Sequence, residues 1–360
     1  MGKISSGSVE QPKVFCVAHE NTGVSFYRLI QPLYQLAQQK KIRVNSTYWS
    51  GDQQLHPIEM TVWDKQGEWA DVLYTTAAKT RDQCAYMLAW SDHYKKKLII
   101  DLDDHVTAVN RDHPNYETFM TSNVSLWAQK SIQNADLFIT TNTYLALQYA
   151  SVNANVLVIP NAINIPLWTS LPKNQREKHS KIRIGWSGAA GHERDLVILQ
   201  HAMEKLRYKY GNKIEFVSIG QQPVIVEVDS HKGFYSVDAY PEGYQRANFD
   251  IALAPMADSG YNRSKSNLRL IEASSQKLPI VASPVGEYRN YPCLYAKEGT
   301  EWVTQISRLI DDPELRAKVG QDCYNEMEQK YEISVVAPKL LRAIKKLVSE
   351  PWKARQISKN

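Results

Sequence analysis

One pattern limits this chain more than any other: strand-like and helical segments alternate, break off at a polar stretch, and then alternate again. "KVFCVA" (Lys13–Ala18) is a short apolar run, and the helical pattern "FYRLIQPLYQLAQQ" follows it. "IRVNSTYW", "DVLYTT", the helix "RDQCAYMLAWSDHYKKK" and the strand "KLIIDLDD" come next, and "DLFITT" and "NVLVIPN" then bracket a helix near Thr143–Ala150. "TSLPKNQREKHSK" (Thr169–Lys181) lacks apolar periodicity and reads as a linker. The alternation resumes with "KIRIGWSG", a helix after His192, "KIEFVSIG", "PVIVEV", "FDIALAP", a helix within "NRSKSNLRLIEASSQK", and "LPIVASP". Short apolar runs separated by helices of such length form βαβ units, whose product is a parallel sheet covered on both faces. The expectation is an α/β chain of two sheets: an N-terminal domain over 1–168, a linker over 169–181 and a C-terminal domain over 182–335. A last helix over 336–350, with Leu340, Leu341, Ile344, Leu347 and Val348 on one stripe, is expected to pack back toward the N-terminal domain, ahead of a basic tail at 351–360.

The totals agree with two cores: 360 residues, 43% hydrophobic and 22% charged, which is ordinary globular composition. No apolar run is long enough to cross a bilayer, and no secretory pattern opens the chain. Met1–Ser6 fits a loose myristoylation pattern and reads better as a polar terminus. Four scattered cysteines (Cys16, Cys84, Cys293, Cys323) fit a reducing compartment and leave out a disulfide framework or structural zinc. The expected location is cytoplasmic, either free or peripheral to a membrane or nucleic acid. Net charge is +5, but residues 337–360 carry seven Lys/Arg against Glu350 alone, so the rest is close to neutral. A basic segment of this kind suits phosphate on an anionic surface or on nucleic acid, and is otherwise simply solvated.

In open parallel sheets, ligands sit beyond the carboxyl ends of the strands. Three loops there carry chemistry. "IGWSGAAGHERD" places Gly185, Gly188 and Gly191 between a strand and a helix, where the backbone can approach a ligand and helix N–H groups can meet an anion. Its GxxGxxG spacing is not the dinucleotide fingerprint, and the second strand lacks the acid that would hold an adenosine ribose. His192 and Arg194 add donors beside it. In "NRSKSNLRLIEASSQK", a helix beginning near Lys265 would put Lys265, Leu268 and Glu272 on one face. Lys265 and the N–H groups of Ser266, Asn267 and Leu268 then suit a diphosphate, and Glu272, an acceptor-only group, suits a pair of ribose hydroxyls. The third loop, "IIDLDDHVTAV", gathers Asp101, Asp103, Asp104 and His105. Clustered carboxylates repel, so one is expected to have a raised pKa or a partner such as Arg28. Asp101 also reads as a helix cap or a ligand of backbone amides.

"APMADSGYNRSKSNLRLIEASSQKLPIVASPVGEY" resembles the donor-binding region of GT-B glycosyltransferases of the family-4 type, in which a Glu-x7-Glu pattern precedes a Gly-x-Pro-Val-Val-Ala strand. Glu272 matches the second glutamate, and Ser264 stands where the first would be. A bacterial and bacteriophage branch with an Asn-x-x-Lys-Ser element is matched by Asn262, Lys265 and Ser266. "IGWSGAAGHERDL" is similar to that branch's glycine loop, with His192 and Asp195 in place. "VIPNAINIPLW" resembles the interdomain Ile-Pro-Asn-Gly-Val-Asp, with Ala162 and Asn164 as departures. "ENTGVSFYRLIQPLYQL" looks like the first glycine loop and helix, with Gly23, Tyr27 and Arg28 matched to an acceptor or diphosphate loop.

The resemblance implies two Rossmann-like domains facing across a crevice and sugar transfer from a nucleotide-diphosphate sugar to an acceptor hydroxyl. It implies no cofactor beyond that co-substrate and no required metal. Gly188, His192, Arg194, Asn262, Lys265, Ser266, Asn267, Leu268 and Glu272 would bind the donor. Asp103 or Asp104 would act as base in an inverting enzyme, or orient substrates in a retaining one, with Asp101 and His105 beside them. Acceptors in view are a glycan, a lipid-linked glycan or a hydroxymethylated pyrimidine in DNA. Rival readings are a sugar-nucleotide epimerase of the same fold and a catalytically silent scaffold subunit.

Overall fold

The computed structural model describes residues 11–18, 22–48 and 57–355. The Met1–Ser6 pattern and the last five residues of the basic tail lie outside that range. Six strands form the first sheet: β1 (Lys13–Ala18), β2 (Arg43–Tyr48), β3 (Val72–Thr76), β4 (Lys97–Leu102), β5 (Leu137–Thr140) and β6 (Val156–Val158). Their order is β2-β1-β3-β4-β5-β6, with every pair parallel. The second sheet holds β7 (Ile182–Gly188), β8 (Ile214–Gly220), β9 (Ser230–His231), β10 (Ile251–Ala254), β11 (Ile280–Ala282) and β12 (Leu294–Tyr295). It is also parallel throughout, in the order β12-β11-β10-β7-β8-β9. Strands such as β3 and β4 are buried at every position, which is why they read as unbroken apolar runs rather than alternating ones.

One expected strand is missing. Pro223–Val228 is irregular because the Glu193 side chain accepts from the backbone N–H groups of both Val224 and Ile225, at 2.7 and 2.9 Å. Two donors that a ladder would need are thereby used by a carboxylate, and pairing with β8 is left to the short β9. A helix start also moves. The chain makes one turn at Gly260–Arg263, and the helix carrying Glu272 spans Leu268–Ser275, so Lys265 and Ser266 sit in the connection before it rather than in its first turn.

The helix Ile333–Ser349 lays Val336, Ala337, Leu340, Ile344 and Leu347 against Leu29, Leu33, Leu36 and Val72 of the first sheet's layer. Burial of each larger side chain contributes about 1.5–3 kcal/mol, so this stripe ties the chain end firmly to the N-terminal half. The two passages between the halves are stitched together: Ile163 N–H donates to Tyr331 O and Ile333 N–H to Ile163 O, both at 2.8 Å. The carboxyl ends of the two sheets face one cleft, and the groups named next line it.

Candidate active site

The cleft holds a cavity of about 410 Å³ between the two sheets. Its floor is set by the ends of β7 and β8, where Gly188 pairs with Gly220. Gly220 has φ +91°, and a Cβ there would lie 2.3 Å from Gly188 O, so only glycine lets these strand ends approach. From the N-terminal half, Gly23, Tyr27, Arg28, Asp103 and Asp104 reach the cavity; from the other, Gly188, His192, Lys265, Ser266, Leu268 and Glu272 do. Residues from both halves of the sequence reading thus meet in one space.

Tyr27 and Arg28 stand where the first helix opens into a π-turn, Phe26–Ile30, a local widening common at functional sites. Arg28 is 3% exposed and forks onto Asp101, Nε to Oδ1 at 2.9 Å and Nη2 to Oδ2 at 3.0 Å. Tyr74 Oη donates to the same Asp101 Oδ2 at 2.9 Å, and Arg28 Nη1 reaches Ile159 O and Asn161 Oδ1. Asp101 is fully buried, its carboxylate is consumed by these donors, and it does not line the cavity. It anchors Arg28.

Asp104 accepts from Tyr261 Oη at 3.0 Å and Lys265 Nζ at 3.3 Å, both across the cleft. Lys265 and the Tyr261 hydroxyl hold its pKa below the usual range despite burial. Asp103 goes the other way: burial, and then the charge of Asp104, push its pKa up. Two adjacent carboxylates driven apart in this way fit one permanent charge and one proton acceptor.

Glu272 is 5% exposed, and burial pushes its pKa up to about 7, against hydrogen bonds that favour the charged form. Tyr27 Oη donates to Oε1 at 2.8 Å and Tyr240 Oη to Oε2 at 3.3 Å. His192 Nδ1 meets Asp195 Oδ2 at 2.8 Å, and burial, with Arg269 adding to it, lowers the imidazole pKa to about 4.

Four other sequence-selected residues lie elsewhere. His105 packs its ring near Tyr149 (5.9 Å between centroids) and is not in the cavity wall. Arg194 is exposed and pairs with Asp112 at 3.2 Å. Asn262 gives its amide to Asp195 Oδ1 and Ala257 O, both at 2.8 Å, so it supports the site from behind. Asn267 is the residue before the helix and faces a separate hollow beside Tyr331.

Arg269, Tyr240 and Asn161 also line the cavity, beyond the residues that the motifs single out. Arg269 lines the cavity three residues before Glu272, a helical spacing that was visible in the sequence. Asn161 accepts from Arg28 and donates to Ser266 Oγ at 2.8 Å, joining the halves. Tyr240 comes from another helix, Tyr240–Ala247, and no local signal pointed to it. Among the described residues, no cluster of three or more His, Cys, Asp or Glu is arranged to hold a metal ion.

No protein-family model matches the chain, and no curated protein matches it. Solved structures do. Anabaena HepE with UDP and glucose aligns at TM-score 0.64 and 15% identity, over 93% of this chain and 100% of that one. An alpha-glucosyltransferase with UDP-glucose and DNA containing an abasic site aligns at 0.64 and 10%, over 93% and 99%. The UDP co-structure of S. aureus MnaA aligns at 0.53 and 14%, over 95% and 98%. The fold of this chain is therefore GT-B, two α/β domains facing across a cleft.

Proposed function

We propose that the chain is a glycosyltransferase of the family-4 type that moves a sugar from a nucleotide-diphosphate sugar to an acceptor hydroxyl. The observation that carries this reading is that Glu272 lines the cavity together with Arg269, from the first turn of the same helix, and Lys265, from the connection just before it. A carboxylate accepts from adjacent ribose hydroxyls, and the two cations with the helix-terminal N–H groups meet a diphosphate.

In the reaction, the acceptor oxygen bonds to the anomeric carbon as the bond from that carbon to the diphosphate oxygen breaks. In the inverting form of this reaction Asp103 takes the acceptor proton, and Lys265 and Arg269 stabilise the charge that develops on the leaving diphosphate. Asp104 holds Lys265 and Tyr261 across the cleft. No charge is routed through a metal in this scheme, so a chelator should leave turnover unchanged. Closure of the two halves excludes water from the donor.

UDP is the first nucleotide to try, because the neighbours named above were solved with UDP or UDP-glucose. The test is thermal unfolding of the wild type and Glu272→Ala against UDP, GDP, ADP, CDP and dTDP. Saturation at 100 times Kd stabilises the native state by about 2.7 kcal/mol. One nucleotide should raise Tm in the wild type and leave Glu272→Ala unmoved; no response from any would end the reading and favour a silent scaffold. An epimerase of the same fold needs no acceptor, so conversion of UDP-N-acetylglucosamine alone would select that alternative. Acceptors to screen are glycans, lipid-linked glycans and hydroxymethylated DNA. For DNA, affinity must fall steeply with salt.

A further inference from the structure

We infer that His192 reads a hydroxyl of the transferred sugar through Nε2, and that Asp195 is the positioning residue that fixes the ring tautomer for this task. The inference rests on the sugar-nucleotide reading of the cavity and assigns the ring to the sugar rather than to the diphosphate.

The tautomer follows from the partners. Asp195 is 2% exposed, and its Oδ1 accepts from Ala257 N–H and from the Asn262 amide, each at 2.8 Å. Asn262 Nδ2 also donates to Ala257 O, so its amide orientation is fixed by two acceptors. Asp195 Oδ2 is left for His192 Nδ1 at 2.8 Å. Hydrogen bonds from His192 and Ala257 hold the Asp195 pKa below the usual range although burial opposes this. An ionised carboxylate only accepts, so Nδ1 must carry the proton. Burial and the nearby charges of Arg269 and Lys265 keep the ring neutral, while Asp195 acts in the opposite sense. Nε2, on the other edge of a ring that lines the cavity, is therefore a bare lone pair.

A bare nitrogen accepts a hydrogen bond and cannot donate one. Phosphate oxygens are acceptors too, so Nε2 and a diphosphate repel, whereas a sugar hydroxyl can donate to it. Lys265 and Arg269 already serve the diphosphate, and the sugar must lie next to it. Ser264 offers no alternative, since it is fully buried and its hydroxyl donates to Tyr261 O.

Two measurements decide the matter. Nitrogen NMR of the labelled imidazole in the wild type should show Nδ1 protonated and Nε2 bare, free and with UDP. A doubly protonated ring in the UDP complex would overturn the inference. Binding of UDP and UDP-glucose is then compared in the wild type, Asp195→Asn and His192→Phe. In Asp195→Asn the two donors at Oδ1 hold the amide oxygen there, so Nδ2 faces the ring and the proof of tautomer control is a proton moved to Nε2. Both variants should keep UDP affinity within about twofold and weaken UDP-glucose relative to UDP by roughly tenfold, the size of one lost hydrogen bond to a polar group. Equal loss for UDP and UDP-glucose would place the ring on the diphosphate and sink the inference while the donor site stands. Failure of the wild type to bind UDP or any other nucleotide would instead bring down the function proposed above. If Asp195→Asn does not fold, His192→Phe and the wild-type spectrum still decide.

Discussion

Tyr27 and Glu272 lie 245 residues apart in sequence, yet the Tyr27 hydroxyl donates to Glu272 Oε1 at 2.8 Å across the cleft. The carboxylate proposed for the ribose is therefore already held from the opposite domain. With Tyr240 on Oε2, both oxygens have a donor, and each retains a second lone-pair site.

This arrangement gives a signed pH dependence for stability. Glu272 is raised from 4.5 to about 7 by burial, so the native state holds a proton that the unfolded chain has lost between those values. Its contribution to stability is fully present below pH 4.5 and declines as pH rises to about 7. Glu272→Gln removes the penalty, and should be more stable than the wild type at pH 8 by about 3 kcal/mol while losing its response to nucleotide. Denaturation at pH 5 and pH 8 measures this; a variant less stable than the wild type at pH 8 would contradict it.

Nucleotide binding should follow the same titration. The ionised carboxylate is the stronger acceptor for ribose hydroxyls, so affinity should rise as pH passes through about 7. Tyr27→Phe deletes a hydrogen bond that favours the charged form, so the midpoint should move to higher pH. Calorimetric titration of UDP from pH 5.5 to 9 checks the direction, and a shift to lower pH would show that Tyr27 acts otherwise.

Asp103 and Asp104 predict the pH profile of turnover. Asp103→Asn should lower kcat by about 10²–10⁴, the usual contribution of a general base. Asp104→Asn removes the second largest cause of the raised Asp103 pKa, so the rising limb of kcat should move to lower pH even as closure weakens. An unmoved limb would mean that Asp103 is not the group observed.

Arg28 and Asp101 form a buried fork, and a partner left alone there is costly. Arg28→Ala should destabilise the protein by about 3–5 kcal/mol, because Asp101 would remain buried without its cation. Asp101→Asn should likewise lower Tm before it affects chemistry. Urea unfolding of both variants is the check, and Asp101→Asn with normal stability but no turnover would return Asp101 to the catalytic set.

The chain end gives a last prediction. Arg355 is held by Asp92 at 2.5 Å, Asp136 at 2.7 Å and Asn134 O at 2.7 Å, and Lys97 Nζ donates to Pro351 O. The basic tail is thus partly a clamp on the first domain rather than a wholly free anionic-surface contact. Arg355→Ala should cost about 1–3 kcal/mol, the size of the charge-assisted hydrogen bonds it removes. Vesicle sedimentation and Tm on the same variant separate the two roles.

Much of this was legible locally. Buried strands such as "KLIIDL" and "IRIGWSG" are apolar on both faces because helices cover both, and they could be read without any long-range information. Lys265 and Glu272 were visible because both belong to one short stretch whose spacing carries meaning. A cation beside a glycine loop looks like an anion donor from sequence whether or not it points inward; in the structure Arg194 is exposed and pairs with Asp112. The Pro223–Val228 run misled because apolar residues propose a strand while a distant carboxylate, Glu193, took the amides that would have built it.

Most of the buried strands follow from local pattern, since period and turn chemistry act over a few residues. Which carboxylate keeps its proton was decided only by the tertiary structure. Asp101, Asp103 and Asp104 are neighbours in the chain, but one is neutralised by Arg28, one is held charged by Lys265 and Tyr261, and one is left to burial and repulsion. Those partners come from other elements, two of them from the opposite domain. Desolvation and Coulomb interactions depend on distance in space, and local sequence carries no record of it.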